Sequence, residues 1–591
     1  MRPNPLTLLP IIALSIAAGL AAAAPLPAHA QAPKPRTQVA AASPLTLDGL
    51  YLAARVAEED HDYDASADQL DKALQHAPGD PDLIYAAFRV RLYAGRFDGA
   101  AQLAPQVLAA KPGDGLANLV LAIQQIRRGD YRTAEMQIGR IGNENQLGPL
   151  RDYVMAWLKA GEKEFVPARE YLAKLAPPSG ERAEAPSLVI QAQIDEMAGD
   201  KQSAEAKYRR AATLDPGGLR VELAVVDGLR RVGKADEATK LLKDFAAKYS
   251  DSLVLDHLLS PSAPMPKPPT TASGIADILF DVGGILGSNQ RVPQTDLALI
   301  FLQLSVELKP DNDFAWLTIS SIYEQFDKIP KATAALAKIG PNSALYWQAR
   351  LRSATLEAQD GKVDQAVAKL KALTAEKPDR IDAALTLADL LRTKERFAEA
   401  VQAYTTAIGR IKTPEERYWP MYFGRGICLE RVKQWPRAEA DMKKALELSP
   451  EQPYVLNYLG YSWIDQGQHL DEGMKMLKRA TELKPDDGAI TDSVGWAHYR
   501  LGQYDQAVEW LERASEQKSD DPTIVEHLGD AYWHVGRKRE ARFEWQRALN
   551  QNPEKDRVPV IQDKLANGLS AANDKPTVYE KAADRNKQQG G

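Results

Sequence analysis

Apolar residues recur at helical spacing near the C-terminal end of the chain. Between Pro453 and Pro553 they fall three or four positions apart, as at Leu456, Leu459 and Trp463, with polar residues between them. This spacing places the apolar side chains on one face of an α-helix. Alanine is frequent throughout the 591 residues and β-branched runs are scarce, which also favours helices. The pattern predicts an all-α protein.

The same stretch contains one unit three times. The copies begin YVLNYLGYSWIDQGQ, AITDSVGWAHYRLGQ and TIVEHLGDAYWHVGR. Aligned on Gly460, Gly495 and Gly529, they step by 35 and then 34 residues. Each copy continues into a second apolar segment, so we expect it to fold as a pair of antiparallel helices.

Small residues hold fixed places in each copy. The aligned glycines lie where the two helices would cross, and a larger side chain there would push the helices apart. A second set of glycines ends the first helices, where a left-handed backbone is required; these are Gly467, Gly502 and Gly536. An alanine in each second helix is expected to meet the next copy; these are Ala480, Ala514 and Ala548.

Earlier parts of the chain repeat at the same step. Gly95 and Gly129 are 34 residues apart, as are Gly199 and Gly233. A unit of about 34 residues with these small residues resembles the tetratricopeptide repeat (TPR), and the chain holds roughly 13–14 of them. The resemblance implies a right-handed superhelical TPR solenoid in two blocks, whose first helices line a concave groove.

Changes in composition divide the chain. A proline-rich stretch interrupts the repeats, and a final amphipathic helix would cover the last exposed face of the solenoid. The predicted segments are a signal peptide (1–30), a flexible leader (31–44), an N-terminal TPR block (45–258), a Pro-rich linker (259–273), a C-terminal TPR block (274–553), a capping helix (554–570) and a disordered tail (571–591).

The first thirty residues have the features of an export signal. Arg2 precedes an apolar run, and Ala28-His29-Ala30 fits the small-x-small motif before a cleavage site. An uncleaved membrane anchor is the alternative, because the run approaches the length of a membrane span. No cysteine lies near the cleavage site, so we expect no lipoprotein acylation. The sequence therefore predicts a periplasmic protein without an integral span after signal cleavage.

Charge and chemistry exclude several classes of protein. The net charge is −6 and no basic stripe occurs, so nucleic acid is not an expected partner. The single cysteine, Cys428, lies in an apolar helical segment and is expected to be a small buried side chain. We find no phosphate-binding loop, nucleophile elbow or HExxH motif, and predict no enzyme activity and no cofactor. An alternative is a metal-dependent hydrolase around His527, Asp530 and His534, although this spacing is not a usual one for metal ligands.

Function is therefore expected on the groove. Residues beside the crossing glycines but off the packing stripe combine aromatic, hydrogen-bonding and acidic groups, which is typical of surfaces that bind proteins or peptides. The alternative is that the aromatic rings only fill space between helices. The predicted groove residues are Asn457, Tyr458, Tyr461, Asp465, Asp492, Trp496, Tyr499, Arg500, Glu526, His527, Asp530, Trp533 and His534.

Acidic groups in this set bear on the ligand. Some TPR domains bind a C-terminal carboxylate through Lys, Arg and Asn, at positions where this chain carries Asn457, Asp492 and Glu526. A carboxylate clamp is therefore not expected, and a basic or neutral extended ligand is favoured.

The repeat array resembles exported TPR proteins of Gram-negative bacteria. The run NYLGYSWIDQGQHLDEGMKMLKRATELKPDDGAITDSVGWAHYRLGQYDQAVEWLERA is similar to outer-membrane lipoprotein adaptors of carboxyl-terminal processing proteases. The resemblance implies a scaffold that binds a periplasmic protease and presents cell-wall enzymes to it, although the lipid-bearing cysteine is missing. A scaffold for envelope polysaccharide export or outer-membrane assembly is the alternative. The oligomeric state stays open.

Overall fold

The computed structural model describes residues 46–142, 147–175, 181–215, 218–248, 265–287, 292–570 and 573–574. These residues form 29 α-helices, one short 3₁₀ turn and no strand, so the all-α prediction is confirmed. None of the helices in this part of the chain is both long and apolar enough to cross a membrane. The predicted signal peptide and leader, the first part of the predicted linker and most of the predicted tail lie outside the described residues.

The chain divides into two compact units, residues 1–366 and 367–591. Helices α1–α17 belong to the first unit. They are α1 Leu47–Glu59, α2 Tyr63–His76, α3 Pro81–Tyr93, α4 Phe97–Ala110, α5 Gly115–Arg127, α6 Tyr131–Gly139, α7 Gly148–Gly161, α8 Phe165–Lys174, α9 Glu181–Met197, α10 Lys201–Leu214, α11 Leu219–Arg231, α12 Ala235–Lys248, α13 Thr271–Gly287, α14 Val292–Leu308, α15 Asp313–Gln325, α16 Ile329–Leu336 and α17 Tyr346–Gln359.

The second unit contains most of α18 and all of α19–α29. These helices are α18 Val363–Glu376, α19 Asp382–Thr393, α20 Phe397–Ile408, α21 Trp419–Arg431, α22 Trp435–Leu448, α23 Pro453–Gln466, α24 Leu470–Leu483, α25 Gly488–Arg500, α26 Tyr504–Gln517, α27 Pro522–His534, α28 Lys538–Asn550 and α29 Arg557–Asn567. From α19 to α28 they form consecutive pairs, and each first helix packs on its own second helix.

Local sequence signals explain where the paired helices begin. Asp487 and Asp521 precede α25 and α27, and each side chain accepts hydrogen bonds from backbone N–H groups of the first turn. Such caps satisfy donors that have no partner inside the helix. Pro453 and Pro522 occupy the first position of α23 and α27, where proline loses no hydrogen bond.

The predicted roles of the glycines are confirmed. A Cβ on Gly495 would lie 2.6 Å from the Leu511 side chain in the paired helix, and a Cβ on Gly460 would lie 2.7 Å from the backbone oxygen of Gly473. Only glycine allows the helices to approach this closely. Gly467 ends α23 at φ +72°, a left-handed conformation that L side chains rarely adopt.

Within the first unit, α13 and α14 pack against helices from much earlier in the chain. They contact α3, α5 and α7, the first helices of three earlier pairs. Trp157 of α7 is fully buried and its ring lies 2.1 Å from where a Cβ on Gly274 of α13 would be. Arg127 at the end of α5 forms an ion pair with Glu307 of α14 at 2.7 Å. In a simple solenoid this face of the first helices lines the groove. Here α13 and α14 cover it on α3, α5 and α7.

We predict that Gly274→Leu will lower the free energy of unfolding by about 2–3 kcal/mol, because the added side chain meets the buried Trp157 ring and overpacks the contact between α7 and α13. Urea unfolding followed by circular dichroism measures the loss. Gly287→Ala in the same helix is the control, since its Cβ would make only ordinary contacts, the nearest at 3.6 Å. Equal stability of the two variants would contradict the packing described here.

Candidate functional site

The candidate site is best described by two groove positions on each first helix of the second unit. One lies three residues before the small residue at the helix crossing, and the other lies one residue after it. In α23, α25 and α27 these pairs are Asn457 with Tyr461, Asp492 with Trp496, and Glu526 with Asp530.

Burial separates the predicted groove residues into two groups. The residues that are nearly fully buried are Asp492, Trp496, Tyr499, Arg500, Glu526 and Asp530. The residues that keep more exposed surface are Asn457, Tyr458, Tyr461, Asp465, His527, Trp533 and His534. All of the buried members lie on α25 and α27. The two groove positions of α23 keep exposed surface, whereas those of α25 and α27 are nearly fully buried.

The carboxylates of α27 are covered by α29. Lys564, which is 1% exposed, places its Nζ 2.6 Å from Glu526 Oε1 and 2.6 Å from Asp530 Oδ2. Arg557 also binds Glu526, and the Trp545 indole N–H donates to Asp530 at 2.8 Å. Two buried carboxylates are thus matched by two cations and an indole donor, which offsets the cost of removing them from water.

The two carboxylates differ in their pKa. Burial alone would raise the pKa of Glu526, but the charge of Lys564 and the hydrogen bonds from Arg557 and Lys564 outweigh it and lower the pKa. Burial is the dominant cause at Asp530 and raises its pKa, although Lys564 acts in the opposite direction. Because Lys564 serves both groups, its own pKa is raised by the paired charges against the effect of burial.

Successive first helices also contact one another through charged and aromatic groups. Arg500 of α25, which is fully buried, forms an ion pair with Asp465 of α23. His527 of α27 donates through Nδ1 to Asp492 of α25 at 3.0 Å, and its ring stacks on Trp496 at 3.8 Å. Each of these contacts joins residues 31–35 apart in the chain, as expected when equivalent turns of neighbouring repeats meet.

The residues of the metal alternative do not converge. His527 binds Asp492, Asp530 binds Lys564, and His534 binds Asp574 through Nε2 at 2.9 Å. Within the described residues no group of three His, Cys, Asp or Glu side chains could hold a metal ion.

The single cysteine lies on the packing side of α21. Cys428 is fully buried, and burial raises the pKa of its thiol to about 12. The thiol therefore stays protonated at neutral pH and acts as a small core side chain, as the sequence predicted.

Sequence reasoning missed several residues of this region. Lys564 is exactly one 34-residue step after Asp530, so the repeat register could have identified it as the next residue in the row. Tyr504 stacks on His534 at 4.0 Å, and the repeat pattern signals it, because Phe97 and Tyr131 also lie two residues after a glycine that ends a first helix. Asp574 accepts from Tyr499 and has no signal in the repeat pattern. Phe423 and Ile427 of α21 occupy the two groove positions around Gly426 and are only half-buried.

Comparisons with known proteins identify the repeat. A family model described as TPR repeat matches residues 495–536, and one described as tetratricopeptide repeat matches residues 351–415. A TPR repeat-containing protein of Pseudomonas aeruginosa is 28% identical over 196 residues, which cover 33% of this chain and 32% of that protein. The E3 ubiquitin-protein ligase CHIP of Arabidopsis thaliana is 33% identical over 90 residues, 15% of this chain and 31% of that protein.

A probable peptide N-acetylglucosaminyltransferase, SPINDLY of Hordeum vulgare, is 30% identical over 116 residues, 20% of this chain and 12% of that protein. The chain thus spans no more than 32% of the length of these relatives. Among solved structures, the APC/C hetero-tetramer Cut9–Hcn1 aligns over 89% of this chain and 96% of its own, with 16% identity and a TM-score of 0.36.

Paired helices that cross at a glycine and stack at a step of 34 or 35 residues define a helical-repeat solenoid. Residues 351–415 and 495–536 match models of the tetratricopeptide repeat, and the chain has the predicted TPR solenoid fold. Folds of this kind typically serve as non-catalytic scaffolds that bind other proteins or peptides, although one relative is named as a glycosyltransferase.

We predict that Lys564→Met will lower the free energy of unfolding by about 3–5 kcal/mol, because it leaves two buried carboxylates without their shared cation. Urea unfolding at neutral pH measures the change. Adding Glu526→Gln and Asp530→Asn to the same chain should recover most of the loss. Lys555→Met, at an exposed lysine just before α29, is the matched control. A loss below about 1 kcal/mol for Lys564→Met would contradict the role given to this lysine.

Proposed function

We propose that the chain is a non-enzymatic periplasmic scaffold that binds an extended segment of a partner protein along the groove of its second unit. In this role it presents the captured protein to an envelope protease. The protein-binding part of the proposal rests on the groove, and the protease part rests on the likeness of the C-terminal repeats to protease adaptors.

The observation that carries the proposal is an unsatisfied polar atom at a groove position of α23. The side-chain oxygen of Asn457 is buried and has no hydrogen-bond partner among the described residues. A buried polar atom without a partner costs free energy, so such an atom calls for a ligand or an ordered water. An extended backbone offers N–H groups to this amide oxygen.

The neighbouring repeats offer an apolar surface beside Asn457. Leu385, Phe423 and Ile427 occupy three of the four equivalent groove positions of α19 and α21, and Asp389 occupies the fourth; all are only half-buried. Phe423 lies edge-on to the Tyr458 ring at 5.8 Å, and Trp419 lies 6.0 Å from Phe423 on the same helix. Half-exposed aromatic and aliphatic side chains in a row fit the apolar side chains of a bound segment.

The second unit is a better location for partner binding than the first unit. In the first unit, first helices α3, α5 and α7 are covered by α13 and α14, which leaves less of that face for a partner. In the second unit, the groove positions from α19 to α23 keep exposed surface.

We predict that a photoreactive benzoylphenylalanine placed at Asn457 will crosslink partner proteins in intact cells, because this position faces the open groove. Mass spectrometry of the crosslinked species, recovered from the periplasmic fraction, identifies the partners. The matched control places benzoylphenylalanine at Lys475, an exposed position on the second helix of the same repeat.

Equal crosslinking at the two positions would contradict groove binding. Recovery of partners without any protease or cell-wall enzyme would contradict the adaptor role alone. Recovery of the protein only outside the periplasmic fraction would contradict the proposed location.

A further inference from the structure

The chain after α29 turns back towards the groove. Gly568 follows the last helix at φ +78°, and a Cβ on it would lie 2.1 Å from the Trp533 ring, so only glycine fits over this tryptophan. Asn573 then holds the turn together. Its side-chain N–H₂ donates to Asp563 at 2.5 Å and to the backbone oxygen of Gly568 at 3.0 Å, and its side-chain oxygen accepts from the Ser570 N–H at 2.7 Å.

This turn delivers Asp574 to two of the predicted groove residues. The Tyr499 hydroxyl donates to one carboxylate oxygen of Asp574 at 2.5 Å, and His534 Nε2 donates to the other at 2.9 Å. Both oxygens of the carboxylate are therefore bound, one from α25 and one from α27. Burial would raise the pKa of Asp574, but the hydrogen bonds from His534 and Tyr499 outweigh it and keep the pKa below its usual value.

The two donors are held in place without Asp574. Tyr499 is 1% exposed, and its ring stacks on Trp496 with the centroids 4.5 Å apart. The His534 ring stacks on Tyr504 at 4.0 Å with an angle of 5° between the planes. Because these contacts fix both rings, loss of Asp574 would leave a hydroxyl and an imidazole N–H aimed at one point. Fixed donors of this kind bind a carboxylate with little loss of side-chain entropy.

The acidic groups near this point do not oppose a second carboxylate strongly. Glu526 and Asp530 are already paired with Arg557 and Lys564. Asp492, the next acidic residue along the groove, accepts from His527. Their charges are therefore largely matched within the chain.

We propose that Tyr499 and His534 form a binding site for an acidic side chain of a bound polypeptide, and that Asp574 fills this site when no partner is present. The proposal rests on the proposed function, because it assigns one contact of the partner segment. It also modifies the expectation of a basic or neutral ligand, since the groove already binds one carboxylate of its own chain.

The site can be tested with the chain's own tail as the probe. The protein is truncated after Leu569, which keeps α29 and the turn at Gly568, and is titrated with a fluorescent peptide of residues 569–580. We expect fluorescence anisotropy to show binding to the truncated protein, and at least about tenfold weaker binding to the full chain, whose site is filled. The peptide with Asp574→Asn should bind roughly 10–100-fold more weakly, since the amide loses the negative charge and keeps only one of the two acceptor oxygens.

Variants of the truncated protein assign the effect to the two donors. Tyr499→Phe and His534→Gln should each reduce the preference for the Asp peptide over the Asn peptide. Tyr532→Phe is the matched control, because this buried hydroxyl also donates to a carboxylate, that of Glu512 at 2.7 Å, but lies away from the tail. No binding of the Asp peptide up to about 2 mM, or equal binding of the Asp and Asn peptides, would overturn the site.

Exchange with a partner is tested separately in cells. Asp574→Asn in the full chain should raise the crosslinking yield from the Asn457 position at least about twofold, because the tail no longer competes. If the yield is unchanged although the Asp peptide binds the truncated protein, the proposal that a partner displaces Asp574 is overturned. The contact of Asp574 with Tyr499 and His534 would then still stand. If neither the unchanged protein nor the Asp574→Asn variant crosslinks from the Asn457 position, the proposed function itself is contradicted.

Discussion

Each helix pair of this solenoid has an apolar face that only the next pair can cover. The alanines at these contacts show how complete the cover is, since Ala480, Ala514 and Ala548 are all 0% exposed. Stability is therefore shared between neighbours, and the last pair needs a substitute for the missing repeat. Helix α29 supplies this substitute through its packing on α28 and through the buried ammonium group of Lys564.

The cover at the end of the array changes the chemistry of the groove. Glu526 and Asp530 occupy the same positions on α27 as Asn457 and Tyr461 on α23, yet they are 3% exposed and bound to Lys564. A position in the repeat does not by itself decide between binding and packing. The next element along the chain decides, because it either leaves the position open or covers it. Of the three copies aligned on Gly460, Gly495 and Gly529, the last two use their groove positions for internal contacts, and the first leaves them partly exposed.

The sequence predicted the contacts that depend on the repeat period and missed those that do not. Alignment alone identifies the roles of Gly460, Gly495 and Gly467, because the crossing and the left-handed turn recur in every copy. The contact between Trp157 and Gly274 joins residues far apart in the chain and has no periodic counterpart, so no local pattern could reveal it. Likewise, the repeat register identifies the groove residues, but their burial depends on α29 and on the contact with Asp574.

The inner faces of both units thus bind segments of the same chain. In the first unit α13 and α14 cover three first helices, and in the second the turn after α29 places a carboxylate between Tyr499 and His534. An internal segment is always present at high effective concentration, so a partner that uses the same surface must bind better than the segment it replaces. The affinity measured for a partner is then the difference between two interactions, and the open positions of α19 to α23 are where a partner gains contacts without displacing any of the described residues.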